Sequence, residues 1–428
     1  MQTSQSQLIS LLLNKQQLSA MYRDYRMLLR NNRSLKILYL IIQFEYRIQQ
    51  GVNQSLLTLA KQSKPINPCV AYYFSAKCLY LKGKYRRSII FINTILARFP
   101  AHMELIYLKS KCLHALGDIA AAQQLLYAAL VTNPKRKKTW LYLASLVCTK
   151  ADFHQFEQYF QQYCLPINEP SALVYLDYYS EAALRAEAYK EAKAMWQHGL
   201  VLLQQHGWQQ PNSKKAFNPK AAERALLDLH TVLTHTQIPF FLVSGTLLGC
   251  IRNGEILPHD NDLDVGVWEE VNHKALYRAV SHSGYFDILP ACVPERIRLK
   301  HVNGVYIDVF YHIKQQNRVW HAGSSKLKWF NSPFELRPHR FLGKDFLIPA
   351  NPERYLIENY GKDWQIPQTQ FDSKLDTPNL EIFNQKEMLI FSYKTLFKLI
   401  LCGKQDEYCR KQIMRYRQLI EELEKITH

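Results

Sequence analysis

Three closely spaced aspartates in the middle of the chain have the type and spacing that suit metal chemistry. Asp260, Asp262 and Asp264 occupy every second position and lead into an apolar run. Side chains two apart on a strand point to the same face, so Asp262 and Asp264 would repel each other unless a cation lay between them. Mg²⁺ prefers such hard oxygen ligands and keeps substrate phosphates among its others. The alternative for this string is a solvated acidic loop.

A fourth aspartate, Asp308, stands alone in the apolar run 305–310. An unpaired buried charge costs several kcal/mol, so this carboxylate needs a partner. One candidate is a metal shared with Asp262 and Asp264. The other is an ion pair with a nearby base such as Arg298 or Lys300, and the residues alone leave both open.

A turn of small residues precedes the acids. Ser244, Gly245 and Thr246 follow the apolar run 238–243 at a predicted strand-to-helix transition. Free backbone N–H groups at such a transition favour an anion, glycine allows a phosphate to approach, and the hydroxyls add donors. We therefore predict that these three residues bind substrate phosphate.

The elements around these residues predict an α/β (α+β) domain. Apolar periodicity favours a helix at 220–235 and helix again over 380–425. Short apolar runs predict strands at 238–243, 263–267, 305–311 and 345–349. A turn-rich stretch at 206–219 is typical of a linker.

A repeat of thirty-four residues marks the region before the linker. Three pairs of residues recur at this interval: Lys77 and Lys111, Gly83 and Gly117, Pro100 and Pro134. The period and the small residues resemble tetratricopeptide repeats, whose helical hairpins must stack because one alone cannot bury its apolar face. The clearer units are 68–100, 102–134 and 136–166, with looser ones at 36–66 and 172–205; helical spacing also predicts helix over 1–50.

Four regions follow from these patterns. We predict an all-α helical-repeat domain at 1–205, a linker at 206–219, an α/β catalytic domain at 220–370 and C-terminal helices at 371–428.

The motifs of the catalytic region resemble one known family. In order along the chain stand the segments GTLLGCIR, LPHDNDLDVGV, VYIDVF and PERYLIENYGKDW. Over roughly 222–370 they look like the LicD/fukutin-related family of phosphoalcohol transferases, which has a nucleotidyltransferase fold. The resemblance implies transfer of phosphocholine, ribitol phosphate or a similar group from a CDP-linked donor to a sugar of a surface glycan, such as lipopolysaccharide, teichoic acid or capsule.

Carried over residue by residue, the resemblance implies a set of roles. Asp262, Asp264 and Asp308 would hold Mg²⁺ or Mn²⁺. The transfer itself also needs a proton acceptor for the sugar hydroxyl, and Asp260 or Asp308 could serve. His259 and His301 are alternatives, although a lone histidine is more often structural. Gly245 and Thr246 would contact the donor phosphate. Two further residues match the family's motif and would bind the substrate. Arg252 would neutralise the leaving nucleotide, and His259 stands directly before the acids.

The net charge of +18 lies in the first third of the chain. Residues 1–150 carry 22 basic residues (Lys and Arg) against 4 acidic ones (Asp and Glu), whereas residues 151–428 carry 32 basic and 32 acidic residues. Such a basic module attracts polyanions: an acidic glycan, an anionic membrane surface or an acidic protein partner, with nucleic acid less favoured. The alternative is a helical surface that is basic but binds nothing.

The remaining composition favours a cytoplasmic protein. The nine cysteines show no paired spacing, which indicates buried thiols in a reducing compartment. There is no apolar run of about 18 residues and no basic segment before the first leucines, so neither a membrane span nor a signal peptide is predicted. The basic repeats could place the protein at the inner face of the membrane.

Two other functions use the same residues. A nucleotidyltransferase acting on RNA or on a small molecule would need the same acids, and a basic repeat domain could hold RNA. A non-catalytic scaffold would need only the repeats. Use of an NTP rather than a CDP-alcohol separates the first from the family function, and full activity without Asp262 and Asp264 would exclude the metal mechanism.

Overall fold

A computed structural model describes residues 35–210, 217–258, 260–290, 293–324, 326–368 and 370–427. The predicted helix over residues 1–34 lies outside these ranges. The chain forms two compact units. The first contains residues 1–132, 274–288 and 300–304, and the second contains residues 133–273, 289–299 and 305–428.

The N-terminal part of the first unit is built from helical pairs. Its helices are α1 (Leu35–Ile48), α2 (Gln54–Ser63), α3 (Pro68–Leu81), α4 (Tyr85–Leu96), α5 (Met103–Ala115) and α6 (Ile119–Thr132). Asn67 caps α3 by accepting from Val70 N at 3.1 Å. Gly83 and Gly117 close equivalent turns with φ of +66° and +83°, a region that favours glycine. The thirty-four-residue repeat is therefore a repeat of helical hairpins, as predicted.

Two later segments of the chain complete this unit. They carry most of α13 (His273–His282), most of strand β3 (Phe286–Leu289) and the end of β4 (Arg296–His301). The Asp287 carboxylate accepts from the Tyr80 hydroxyl at 2.5 Å and forms an ion pair with Lys111. Val52 N donates to Gly284 O at 3.0 Å. Residues far apart in sequence thus share one unit with the repeats.

The second unit begins with further helical pairs and ends with two long helices. Its helices are α7 (Lys137–Leu146), α8 (Lys150–Cys164), α9 (Val174–Arg185), α10 (Tyr189–His206), α11 (Pro219–His235), α12 (Ser244–Arg252), α14 (Pro352–Tyr360), α15 (Gln385–Cys402) and α16 (Glu407–Thr427). Helix α15 buries Leu389, Tyr393 and Phe397. Its Lys394 and Lys398 both pair with Asp177 of α9, at 2.7 and 3.1 Å. The C-terminal helices therefore pack on the last repeats of this unit.

A mixed sheet of ten strands carries the predicted acids. The other strands are β1 (Phe241–Leu242), β2 (Leu263–Trp268), β5 (Tyr306–Gln315), β6 (Arg318–Ser324), β7 (Leu327–Asn331), β8 (Leu336–Phe341), β9 (Lys344–Pro349) and β10 (Leu380–Ile382). The spatial order is β10-β7-β6-β5-β2-β1-β9-β8, with β4 also beside β5 and β3 beside β4. Strand β2 runs antiparallel to β1 and parallel to β5. This places the two acid-bearing strands next to each other.

The fold class is confirmed: helical repeats, then an α/β domain, then a helical C-terminus. The strand predicted at 238–243 is only two residues long, because residues 238–240 form no ladder. One prediction is corrected. Helix was predicted over 380–425, but residues 380–382 pair with β7 as strand β10, and the helices begin at Gln385. Among the described residues, no helix is both long and apolar enough to cross a bilayer.

Two stacked histidines lie in the core of the sheet. His312 on β5 and His321 on β6 have ring centroids 4.6 Å apart and are 0% and 3% exposed. Burial lowers the pKa of His312 to about 4, and burial together with the neighbouring imidazole lowers that of His321. Both rings are therefore neutral at physiological pH.

The buried imidazole predicts a specific loss of stability in acid. Since the unfolded chain protonates His312 near pH 6.5 and the folded chain only near pH 4, stability falls as the pH drops through this interval. We expect His312 to account for about 2 kcal/mol of the loss in unfolding free energy between pH 7 and pH 5. Urea unfolding of His312→Leu should show a pH dependence weaker by this amount. His235→Leu, at an exposed position, should match the wild type; an unchanged slope in His312→Leu would contradict the prediction.

Candidate functional site

The small-residue turn lies against strand β2. Antiparallel pairing of Phe241 with Gly266 and of Leu242 with Val265 fixes β1 beside β2. The chain then turns at Ser244, whose φ of +46° is rare for a residue with a side chain, and enters α12. Strained backbone of this kind concentrates at functional sites, so the turn marks the region as a candidate.

Two hydrogen bonds join this turn to Asp264. Gly245 N donates to Asp264 Oδ2 at 3.2 Å, and Asp264 N donates to Thr246 Oγ1 at 2.8 Å. Thr246 is 3% exposed, so its hydroxyl positions β2 and offers no open surface. Gly245 lies closer to the acids, because a Cβ there would come 2.5 Å from Asp260 Oδ2 and 3.5 Å from Asp264 Oδ2. The absence of a side chain at Gly245 therefore lets the Asp260 carboxylate lie against the turn, next to Asp264.

Asp308 lies beside Asp264 on the neighbouring parallel strand. The register pairs Asp264 with Asp308, and the carboxylate of Asp308 is almost fully buried. The ion pair that the sequence left open is present: Arg296 Nη1 lies 3.3 Å from Asp308 Oδ2 and Arg298 Nε lies 3.4 Å from Oδ1. Within the described ranges Oδ1 makes no hydrogen bond. Sequence reasoning named Arg298 and missed Arg296, two positions earlier on the same face of β4.

Burial and mutual repulsion raise the pKa of the other acids. Burial, then the charges of Asp308 and Asp260, raise the pKa of Asp262 to about 6. Burial, then Asp262, Asp260 and Asp308, hold the pKa of Asp264 well above its usual range. Burial also raises the pKa of Asp260. The four carboxylates therefore form one negative cluster that a cation would stabilise.

The donor set suits a divalent cation in its chemistry. Buried carboxylate oxygens, an Asp308 oxygen without a hydrogen bond and the Asp260 carboxylate held against Gly245 fit Mg²⁺ or Mn²⁺. In the part of the chain that the structure describes, no three acidic, histidine or cysteine side chains already stand close enough to ligate one ion together. Ligation would thus need side-chain rotation, with Asp308 shifting from its arginine partners.

Two tyrosines from α14 also face the acids. Burial, then the Asp264 charge, raise the pKa of both Tyr355 and Tyr360, and Asp260 adds to the effect at Tyr360. Both phenols therefore stay protonated and are hydrogen-bond donors. Neither tyrosine was among the predicted site residues. The signal was the pair of tyrosines nine and four residues before Trp364 in the PERYLIENYGKDW segment.

The remaining predicted residues lie in different surroundings. Arg252 ends α12 and donates from Nη1 to Trp364 O at 3.3 Å. Its positive charge partly offsets the increase in the pKa of Tyr360. His259 lies outside the described residues, so its prediction stays open. His301, an alternative base, is 1% exposed and packs on Phe286, which indicates a structural role.

Comparison with known proteins identifies the region around this site. Residues 237–351 match the model of the LicD/FKTN/FKRP nucleotidyltransferase domain. The human ribitol-5-phosphate transferase FKTN is 28% identical over 214 residues, which cover 45% of this chain and 42% of that protein. The mouse protein of the same name is 28% identical over 205 residues. An uncharacterized protein of Rickettsia typhi is 32% identical over 142 residues, 31% of this chain and 39% of its own. The chain thus spans less than half the length of these relatives.

Proposed function

We propose, from the match of residues 237–351 to the LicD/FKTN/FKRP nucleotidyltransferase domain, that the protein transfers a phosphoalcohol from a CDP-linked donor to a sugar. The transfer depends on Mg²⁺ or Mn²⁺, and the acceptor is a glycan of the cell surface or its lipid-linked precursor. The donor alcohol is phosphocholine, ribitol phosphate or a related group, and the name of the human relative favours ribitol phosphate.

One observation carries this proposal. Asp264 and Asp308 lie side by side on parallel strands, Asp262 and Asp260 are near enough to shift the pKa of Asp264, and the Asp260 carboxylate lies against Gly245. Such a cluster of acids beside a helix N-terminus suits a cation bound to a diphosphate.

The roles of the residues follow from their charges. Asp262 and Asp264 would hold the cation after rotation of their side chains, and Asp308 could join them. When bound, the cation supplies charge neutralisation for the diphosphate and the leaving group. Arg296 and Arg298 add positive charge beside the acids, and their guanidinium groups lie 3.3 and 3.4 Å from Asp308.

Asp260 is the better proton acceptor. Asp308 is neutralised by two arginines, whereas burial raises the pKa of Asp260 and so increases its basicity. In the transfer, the acceptor oxygen forms a bond to the phosphorus of the alcohol phosphate, and the bond from that phosphorus to CMP breaks. CMP leaves with the electron pair, and the acceptor proton goes to Asp260. Arg252, the match to the family's arginine, neutralises the departing phosphate.

The basic N-terminal part has a supporting role in this proposal. Residues 1–150, with 22 basic against 4 acidic residues, hold an acidic acceptor or an anionic membrane surface. We also propose a cytoplasmic location. The eight described cysteines are all free thiols, which supports a reducing compartment.

A panel of donors tests the proposal directly. The protein is incubated with CDP-choline, CDP-ribitol, CDP-glycerol and CDP-ethanolamine, with and without Mg²⁺, and CMP release is measured. We expect release from one donor, strictly dependent on the metal. Turnover of nucleoside triphosphates with none of CDP-alcohols would replace this function with nucleotidyl transfer.

A further inference from the structure

A cavity outside residues 237–351 is lined in part by Tyr360, the last residue of α14. It has a volume of about 430 Å³ and belongs to the second unit. Tyr360 at the end of α14, Phe371 in the following loop, and Lys411 and Gln412 at the start of α16 contribute to its lining. The C-terminal helix, to which no role has been given so far, thus contributes to a cavity next to the reaction centre.

Tyr360 connects this cavity to the acids. It ends α14, the helix that packs on α12 at the small-residue turn, and Asp264 and Asp260 are among the charges that raise its pKa after burial. Its ring also contacts Phe371, with centroids 5.5 Å apart and planes tilted by 47°. A ligand against these two rings would therefore be held one side chain away from the acids. Aromatic rings of this kind pack against the C–H faces of sugar rings.

Gln412 supplies a buried amide that lacks a partner. Its side chain is 2% exposed, and its Oε1 makes no hydrogen bond to any described residue. An unsatisfied buried polar group costs about 1–3 kcal/mol, so a ligand hydroxyl that donated to it would recover that cost. Lys411, the next residue on the helix, is exposed at the edge of the cavity and adds a second polar contact.

The charges of the cavity exclude a diphosphate. Arg415, which also lines it, is already paired with Asp376 at 2.6 Å. Asp372 holds this pair in place, because its backbone N donates to Asp376 Oδ2 at 2.6 Å and its carboxylate accepts from Tyr416 at 2.7 Å. Lys411 is then the one lining cation among the described residues without a carboxylate partner. Two rings, an amide and one lysine suit a hydroxyl-rich ring better than a pair of phosphates.

We propose that this cavity binds the acceptor sugar and holds its hydroxyl toward the acids. The inference rests on the proposed function, because it assigns the second substrate of the same reaction. It makes Gln412 and Phe371 determinants of acceptor specificity, although they touch neither the metal nor the donor.

Sugar binding to the full-length protein tests this assignment. Saturation-transfer NMR with methyl glycosides of glucose, galactose and N-acetylglucosamine is measured in the presence of CDP and Mg²⁺. We expect at least one glycoside to bind. Gln412→Met and Phe371→Ala should weaken its Kd about fivefold to tenfold, the value of one neutral hydrogen bond or one ring contact. Lys411→Ala, at an exposed position that leaves folding intact, should weaken it about threefold.

The controls separate the sugar cavity from a donor cavity and from the reaction itself. Gln418→Met changes an exposed glutamine of the same helix and should leave the Kd of the glycoside unchanged. The Kd of CDP should stay within twofold in every variant. No glycoside binding to the wild type, or a weakened Kd for CDP in Gln412→Met, would overturn the proposal. Hydrolysis of the donor, in which water takes the place of the acceptor and CMP is released, is measured on the same samples. It reports separately on the proposed function.

Discussion

Replacing Asp264 with asparagine should reduce CMP release about a thousandfold while making the metal-free protein more stable. Asparagine keeps the size of the side chain and can still accept from Gly245 N, so the turn and strand stay joined. The loss of one negative charge weakens cation binding by several kcal/mol, which accounts for the loss of rate. The same change removes repulsion within a buried cluster that includes Asp262, and we expect a gain of about 1–2 kcal/mol in unfolding free energy.

Two measurements check this pair of effects. Initial rates with the preferred CDP-alcohol give the loss of activity, and thermal unfolding in EDTA gives the gain in stability. Asp345→Asn is the matched control, because Asp345 is exposed and pairs with Arg340 at the surface; both quantities should remain at the wild-type level. A variant that keeps its activity, or one that melts below the wild type in EDTA, would contradict this account of the cluster.

Gly245→Ala should lower kcat/KM about a hundredfold without unfolding the protein. The added Cβ would lie 2.5 Å from Asp260 Oδ2, so the carboxylate must move. The backbone at Gly245 lies outside the left-handed region, so alanine brings no strain there. A displacement of about 1 Å at a reacting group is enough for a loss of this size. The effect should therefore be confined to catalysis and metal affinity.

Gly199→Ala provides the comparison. A Cβ at Gly199, in the middle of α10, would lie 2.8 Å from Leu176 Cδ1, a similar degree of crowding at a position far from the acids in sequence. Any effect there should appear in the melting temperature and leave kcat/KM unchanged. If Gly245→Ala lost stability in the same way and kept its kcat/KM, the space beside Asp260 would have no catalytic role.

The repeats and the acids were predictable because each is a local pattern. A period of thirty-four residues reflects stacked hairpins, and acids at every second position reflect one face of a strand. What joins Asp308 to Asp264 is the parallel pairing of β2 with β5, which depends on the whole sheet. The resemblance to a family placed Asp308 in the site, whereas periodicity showed only an isolated acid in a strand.

The parts that were not predicted depend on contacts between distant residues. Strand β4 carries alternating basic residues that look like an exposed edge, and only its place beside β5 brings Arg296 to Asp308. The direction of the Tyr355 hydroxyl depends on the packing of α14 on α12. Strand β10 is three residues long and has no apolar pattern of its own, so its pairing with β7 alone defines it.

The interleaved course of the chain has a consequence for the order in which the protein can fold during synthesis. The first compact unit needs residues 274–288 and 300–304, so it cannot be completed until residue 304 has left the ribosome. Until then Tyr80 and Lys111 lack Asp287, the carboxylate that both contact. Domains that are contiguous in sequence fold one after another as they emerge, but here the first unit must wait for much of the second. Cutting the chain at 206–219 would therefore leave the repeats incomplete, and point substitutions are the way to separate the two halves genetically.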